Sequence, residues 1–202
     1  MDDKYDYSYL DDKGIYCYRG TTVLINKFGI KDDDEFRRAE RFYSGLRQTE
    51  LHNNPLPGNF DFSHLKAIHH YLFQDLFYWA GKPRTVAIAK LNLFCLPQHI
   101  DSYAEEVFSK LAKSGFLVGY SREAFVDSLA DFLGDLNALH PFREGNGRTQ
   151  REFIRCVAMK SGYGLDWSLV TPEENIVASY ESVNGNNKKL RNLLSRIVFK
   201  LS

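Results

Sequence analysis

The residues best suited to chemistry lie in one stretch, His140–Arg151, with the sequence HPFREGNGRTQR. Pro141 disfavours helical backbone geometry at His140, so the imidazole should sit at a corner where a helix gives way to a loop. Histidine is the side chain that titrates nearest to neutral pH. A histidine in this position is therefore a candidate general base.

The loop after this corner has the features of an anion-binding site. Gly145 and Gly147 flank Asn146, which allows a tight turn and a close approach of the backbone to a ligand. A helix is expected to begin there, so its free amides and its positive dipole end point into the same loop. Arg148 and Arg151 lie three residues apart on the first turn and add two guanidinium groups. This combination indicates a phosphate site.

Glu144 conflicts with a simple phosphate site, because a carboxylate repels a phosphate. The conflict disappears if Glu144 holds Mg²⁺, which bridges the carboxylate and the phosphate oxygens. The loop therefore predicts nucleotide phosphate, Mg²⁺ and proton abstraction together. Taken singly, a GNG turn, two surface arginines or a histidine before proline would each be an ordinary structural feature. Nine specified positions occur here within twelve residues, so a purely structural interpretation of the whole set is a poor one.

Helices must position this loop. Apolar residues recur at spacings of three and four along four segments, which begin near residues 63, 100, 125 and 147 and end near 81, 115, 139 and 162. Asp61 or Ser63 can cap the first of these helices, and the third runs directly into His140. Further helices are expected at 33–50, 172–183 and 187–200.

One segment departs from the helical pattern. Residues 84–97, RTVAIAKLNLFCLP, carry β-branched and apolar residues and predict a short hairpin, or flap, laid against helices. The expected fold is mainly α, a single domain over residues 1–202 with its core at about 60–165, helical extensions at both ends and a small β-hairpin flap.

Composition excludes several classes of protein. The chain has 202 residues, 26 Lys+Arg and 26 Asp+Glu, so no basic excess supports nucleic-acid or membrane binding. Three dispersed cysteines, Cys17, Cys95 and Cys156, form neither a metal motif nor a disulfide framework. The acidic start is no secretory signal and the apolar runs are short. We expect a cytoplasmic protein, with secretion into a host by a non-classical route as the alternative. The five other histidines are expected at the surface or at helix ends.

The stretch His140–Arg151 matches, without departure, the motif H-P-F-x-[D/E]-G-N-G-R-x-x-R of the Fic (filamentation induced by cAMP) family. The segments LKAIHHYLFQDLFYWAGKPR and VAIAKLNLFC resemble the family's helix before the flap and the flap itself. TTVLINKFGIKD near the N-terminus also resembles the start of many Fic domains. The chain is therefore similar to a Fic domain over nearly its whole length.

The resemblance implies a protein adenylyltransferase, which moves AMP from ATP to a Ser, Thr or Tyr hydroxyl of a target protein. His140 would be the base and Glu144 the Mg²⁺ ligand, while Phe142 would anchor the loop from beneath. Nucleotide binding would fall to the rest of the loop and the next turn: Arg143, Glu144, Gly145, Asn146, Gly147, Arg148, Thr149 and Arg151, with Arg151 facing the γ-phosphate. Val86, Ala87, Ile88, Ala89 and Lys90 would dock the target by main-chain pairing. Lys27, Phe28 and residues 176–186 are candidates for the adenosine pocket.

Two alternatives remain open at this level. One is a Fic-type transferase with another donor, or an enzyme that removes AMP; the other is a non-catalytic module that binds through its flap. Many family members also carry an inhibitory helix with the pattern [S/T]-x-x-x-E-[G/N], and the closest segment here, Thr171–Asn175, has its glutamate one residue too near the threonine. We therefore expect a small antitoxin-like protein to supply an inhibitory glutamate in trans.

Overall fold

The computed structural model of the chain describes residues 8–9, 14–90 and 92–201. The α-helices in these ranges are α1 (Asp33–Asn53), α2 (Phe62–Phe73), α3 (Ile100–Lys113), α4 (Arg122–Leu139), α5 (Asn146–Lys160), α6 (Pro172–Val183) and α7 (Lys188–Ile197). The strands are β1 (Ser8–Tyr9), β2 (Ile88–Lys90), β3 (Asn92–Leu93), β4 (Tyr163–Leu165) and β5 (Val198–Lys200). The mainly helical fold with a small flap is confirmed.

Helix α4 forms the centre of the fold, because α3, α5, α6 and α7 all pack against it. Its apolar stripe is fully buried at Phe125, Leu129 and Leu136. Ser121 caps its start by accepting a hydrogen bond from the amide of Ala124 (3.3 Å). The last residue before its C-terminal cap is Leu139, so this central helix leads directly into the candidate loop.

Helix α2 lies against α1 and α5 and begins as expected, with Asp61 accepting the amide of His64 (2.8 Å). Its predicted end near residue 81 was wrong. The helix ends at Phe73 and is followed by turns. The Phe73 carbonyl accepts hydrogen bonds from the amides of both Leu76 and Phe77 (3.0 Å each). Leu76 and Phe77 stay buried through these turns, which is why the apolar spacing continued beyond the helix.

The β structure is more extensive than predicted. The flap hairpin β2–β3 pairs Ala89 with Leu93, and β1 adds a third strand on the other side of β2. A second sheet pairs β4 with β5, with Leu165 opposite Val198. The expected helix 187–200 therefore ends at residue 197. The residues beyond this end include Val198, which is β-branched, and Phe199, which is aromatic, and both types suit a strand that has a partner.

Within the described ranges, none of the helices has both the length and the apolar content needed to cross a bilayer.

Candidate active site

His140 occupies the C-terminal cap of α4 in a left-handed backbone conformation (φ 41°, ψ 60°). Its amide donates to the Leu136 carbonyl (3.0 Å), so the helix ladder reaches the histidine before the chain turns away. A non-glycine residue in this region of φ and ψ is strained, and such strain persists only where the surrounding structure enforces it. The histidine is therefore held at a fixed corner.

The flap covers the His140 ring. Phe94, directly after β3, stacks on the imidazole with ring centroids 3.9 Å apart and an interplanar angle of 11°. The Phe94 amide donates to the Ile88 carbonyl (3.2 Å), which continues the β2–β3 ladder up to the stacked ring. The orientation of the imidazole and the position of the flap are thus coupled through one aromatic contact.

Arg84 joins the base of the flap to the corner. Its side chain is 2% exposed and donates to the carbonyl oxygens of His140 (2.9 Å), Val86 (2.7 Å) and Cys95. Burial lowers the pKa of Arg84 to about 10, so the guanidinium keeps its charge at neutral pH. Its fork of donors therefore holds both ends of the flap and the backbone of the histidine in one arrangement.

Gly145 and Asn146 shape the loop. Gly145 has φ +80°, and a side chain there would lie 2.3 Å from the ring of Phe73, so only glycine fits. The side chain of Asn146 is buried, accepts the Phe142 amide (2.9 Å) and donates to the Phe142 carbonyl (2.8 Å). Helix α5 starts at Asn146 and its ladder begins where the Thr149 amide donates to the Gly145 carbonyl (3.1 Å). The amides of residues 146–148 precede that ladder and face the loop end of the helix dipole.

His69 lies beneath the loop, buried within α2, and the expectation of a surface or helix-end position was wrong for it. His64 is also buried but lies in the first turn of α2, as expected of a histidine at a helix end. The His69 ring stacks on Phe142 with centroids 3.8 Å apart. Nδ1 accepts the Gly81 amide (2.8 Å), which leaves Nε2 to donate to the Glu144 carbonyl (3.0 Å). Burial lowers the pKa of His69 to about 3. A neutral histidine therefore supports the loop from below.

Glu144 has the features of a single carboxylate ligand for Mg²⁺. One carboxylate oxygen, Oε1, accepts the Gly145 amide (2.9 Å), which fixes the side chain over the start of α5. In the part of the chain that the structure describes, no group of three or more His, Cys, Asp or Glu residues is arranged to hold a metal ion. Mg²⁺ commonly binds through one or two carboxylates together with substrate phosphates and water. The residues present fit that mode.

The two motif arginines have different environments. Arg148 forms an ion pair with Glu40, donates to the Ser44 hydroxyl (2.8 Å) and lies over the Phe73 ring. Glu40 and Ser44 belong to α1, so this arginine ties the loop to the N-terminal helix. Arg151 lies on the next turn of α5, and its guanidinium carbon is 5.9 Å from the centroid of the Trp167 ring.

Known proteins resemble this chain in sequence. The model of the Fic/DOC family matches residues 59–158. The chain is 38% identical over 185 residues to the probable protein adenylyltransferase y4lH of Sinorhizobium fredii, covering 90% of this chain and 94% of that protein. The chain belongs to the Fic/DOC family. It is also 42% identical over 177 residues to the protein adenylyltransferase VbhT of Bartonella schoenbuchensis, which covers 87% of this chain but only 37% of that longer protein.

Solved Fic structures agree with the fold. The BepC protein of Bartonella tribocorum, crystallised with AMPPNP, is 28% identical with a TM-score of 0.85 and covers 93% of this chain and 97% of that one. The N-terminal Fic domain of a Bartonella quintana effector, crystallised with ADP, is 28% identical with a TM-score of 0.86 and covers 93% and 95% of the two chains.

Of the other nucleotide-binding candidates of the Fic loop, Arg143 and Thr149 are buried, whereas Gly147 is exposed. Arg143 is buried, with Nη2 donating to the Cys17 sulfur (3.5 Å). Thr149 is buried and donates to the Gly145 carbonyl (2.9 Å). These contacts give Arg143 and Thr149 structural roles in holding the loop.

The adenosine candidates lie in two separate segments of the chain. Lys27 donates to the Gln74 carbonyl (2.6 Å), and Phe28 stacks on Tyr43 of α1 (4.8 Å). Residues 176–186 form the later part of α6 and the following turn. The Ser182 hydroxyl there accepts a hydrogen bond from Asn137 (3.0 Å), one turn before His140. In the flap, residues 86–90 form the lead-in to β2 and the strand itself.

Three supporting residues of the Fic site were missed by the sequence reasoning. His69 carried a usable signal, because it shares the apolar face of α2 with Leu65 and Leu72 at helical spacing. Glu40 and Arg84 carried none, because Glu40 pairs with an arginine of α5 and the acceptors of Arg84 are backbone carbonyls, two of which, His140 and Cys95, lie further along the chain. The segment that came nearest to an inhibitory helix proved to be a capping box: Thr171 and Glu174 start α6, and Glu174 pairs with Arg196 (2.8 Å).

Proposed function

We propose that the chain is a protein adenylyltransferase, which transfers AMP from ATP to a Ser, Thr or Tyr hydroxyl of a target protein and releases pyrophosphate. The observation that carries the proposal is the placement of His140 at a strained corner beside the open N-terminus of α5, with Glu144 between them. The names of the relatives and the nucleotides in the related structures support the same activity.

His140 acts as the general base in this proposal. It removes the proton from the target hydroxyl, whose oxygen attacks the α-phosphorus of ATP. A new bond forms between that oxygen and the α-phosphorus as the bond to the β-phosphate oxygen breaks, and pyrophosphate leaves. The stacked Phe94 ring keeps the imidazole in one plane, which orients it toward the attacking oxygen.

The start of α5 binds the phosphates in this proposal. The amides of residues 146–148 and the helix dipole stabilise the α-phosphate and its developing charge. The side chain of Asn146 acts through the loop, since both its polar atoms contact the Phe142 backbone. Arg148 and Arg151 hold the β- and γ-phosphates; the Arg148 ion pair with Glu40 keeps its guanidinium on the α1 side of the loop.

Glu144 is the residue that holds Mg²⁺ in this proposal. Bound Mg²⁺ supplies charge neutralisation of the phosphates. The contact between Glu144 Oε1 and the Gly145 amide orients the second carboxylate oxygen for a ligand. Glu144→Ala should lower AMP transfer about 100-fold, the scale of losing one stabilising contact to the reacting phosphate. Raising Mg²⁺ should recover part of the loss, and full wild-type activity in excess chelator would contradict this role.

The flap docks the target in this proposal. Strand β2 offers main-chain groups to an extended segment of the target, which places a hydroxyl near His140 with little demand on sequence.

The experiment that tests the activity uses two labels. Purified protein is incubated with lysate and with either α-labelled or γ-labelled ATP. Relative to lysate without the protein, we expect additional protein-bound label from the α position only. Transfer of the γ label would indicate kinase-like chemistry, and absence of both labels would favour a non-catalytic binding module.

We place the protein in the cytoplasm and propose an inhibitor in trans. Cys95 and Cys156 are thiols outside any disulfide, which suits a reducing compartment. The inhibitory pattern is not matched anywhere in the sequence, so a small partner protein would supply the glutamate to Arg151. Expression of the chain alone should arrest growth of a bacterial host, and His140→Ala should abolish the arrest.

A further inference from the structure

The outer edge of the flap is already taken by the chain itself. Strand β1 pairs antiparallel with β2, with Ser8 opposite Ala89 and Tyr9 opposite Ile88. Strand β3 occupies the other edge of β2, so the order is β1-β2-β3. Strand β2 has only two edges, and both are therefore in use.

The paired segment lies in line with the catalytic corner. Tyr9, Ile88 and Phe94 form one row across the sheet, because Ile88 pairs with Tyr9 on one side and accepts the Phe94 amide (3.2 Å) on the other. Phe94 in turn stacks on His140. Neighbouring strands lie about 4.8 Å apart, so the Tyr9 backbone is about 10 Å, two strand spacings, from the backbone of the residue that covers the imidazole. A target strand that docks on β2 needs this same place.

The pairing of β1 is suited to exchange. It involves two residues, and a short strand pair contributes little stability by itself. A segment of the same chain nevertheless has an effective concentration of about 1 mM, which lets weak pairing compete with a free target. An extended segment that makes more main-chain hydrogen bonds can displace it.

We propose that β1 is an intramolecular occupant of the docking edge of β2, and that an extended, hydroxyl-bearing segment of a target protein must displace it. The part that concerns target displacement rests on the proposed transferase function. The residues that carry the proposal are Ser8 and Tyr9 on one side and Ile88 and Ala89 on the other.

The test uses a variant that cannot pair and a control that can. The double substitution Ser8→Pro with Tyr9→Pro removes both amide donors and fixes φ, which prevents strand pairing. Ser8→Ala with Tyr9→Phe keeps the backbone and removes only the hydroxyls. The probe is a fluorescent peptide with the sequence of residues 4–12, KYDYSYLDD, and the measurement is its anisotropy with each full-length protein.

We expect the peptide to bind the proline variant at least about tenfold more tightly than the wild type, because the competing segment is gone. The Ala/Phe control should match the wild type. Equal affinity for the proline variant and the wild type would overturn the proposal, as would a control that behaves like the proline variant, because pairing through the backbone does not need the hydroxyls.

A second measurement separates this proposal from the proposed function. AMP transfer from α-labelled ATP to the same peptide is followed with all three proteins. The KM for the peptide should fall in the proline variant by the factor seen in binding, with kcat unchanged. Tighter binding with no label in any protein would support the role of β1 and count against the transferase. If all three proteins label the peptide with the same KM and bind it with the same affinity, the result would support the transferase and overturn the role of β1.

Discussion

The Fic loop and the flap face each other across His140, and they are held in different ways. The loop is fixed by buried polar side chains: Asn146 bonds both backbone groups of Phe142, and His69 bonds the Glu144 carbonyl. The flap strands span two or three residues each and depend on backbone pairing. Arg84 is the buried side chain that ties the flap to the corner.

The difference matches the demands on each region. Stabilising a transition state requires groups fixed in place before the reaction, because reorganisation would reduce their effect. Docking a variable segment requires an edge that can exchange partners. Loss of a loop contact should therefore affect the fold and the chemistry together, whereas loss of a flap contact should affect mainly target binding.

The largest expected effect is at the histidine itself. His140→Ala should lower AMP transfer by about two to four orders of magnitude, the range for a positioned general base. ATP affinity should stay close to that of the wild type, because the base acts on the attacking hydroxyl. Transfer is measured with α-labelled ATP and affinity by calorimetry. His99→Ala, at an exposed position, is the matched control; near wild-type transfer by His140→Ala at neutral pH would refute the assignment.

The loop should fail as a unit when its internal contacts are removed. Asn146→Ala leaves the amide and the carbonyl of Phe142 buried without their side-chain partner, and each such group costs about 1–3 kcal/mol. The free energy of unfolding in urea should fall by about 2–4 kcal/mol, and transfer should fall with it. Asn192→Ala, on an exposed face of α7, should stay within about 0.5 kcal/mol. Equal stability of the two variants would show that the loop does not depend on Asn146.

The flap should loosen without loss of the loop when Arg84 is replaced. Arg84→Lys keeps the charge, but a single ammonium group lacks the fork that reaches three carbonyls. We expect faster amide exchange at residues 86–90, and a KM for an acceptor peptide raised about tenfold, equivalent to one hydrogen bond to a charged group. Arg122→Lys is the control, since Arg122 bonds the Ser195 and Val198 carbonyls at the other end of α4. Equal flap exchange in both variants would contradict the role of Arg84.

A smaller, pH-dependent effect should come from His69. Its folded pKa lies near 3, below the unfolded value of about 6.5, so between these values the unfolded state binds a proton that the folded state excludes. Stability should therefore fall as the pH drops from about 6.5, by up to about 1.4 kcal/mol per pH unit. His69→Gln should flatten this slope in urea titrations, while His99→Gln should leave it unchanged. An identical slope in His69→Gln would exclude His69 as its source.

Much of this architecture was available from the sequence. The helices before and after His140 follow from apolar spacing and capping, and the loop follows from Pro141 and the two glycines. The end of α2 and the strand β5 were missed for a shared reason, which is that buried apolar residues continue at helical spacing beyond the end of each helix. After α2 they continue through turns, and after α7 they continue into β5, whose partner β4 lies over thirty residues earlier. The contacts of Arg84 and Glu40 depend on how distant segments meet, which local pattern does not encode.

The position of β1 has a consequence for how the protein is handled. Any affinity tag or fusion joined ahead of Ser8 places extra chain next to the docking edge of the flap, where it can compete for β2 and distort acceptor kinetics. Strand β5 pairs with β4, which follows the far end of α5, a helix of 15 residues and so about 22 Å long. Surface attachment and fluorescent labels should therefore be placed after β5, about one helix length away from the reacting groups.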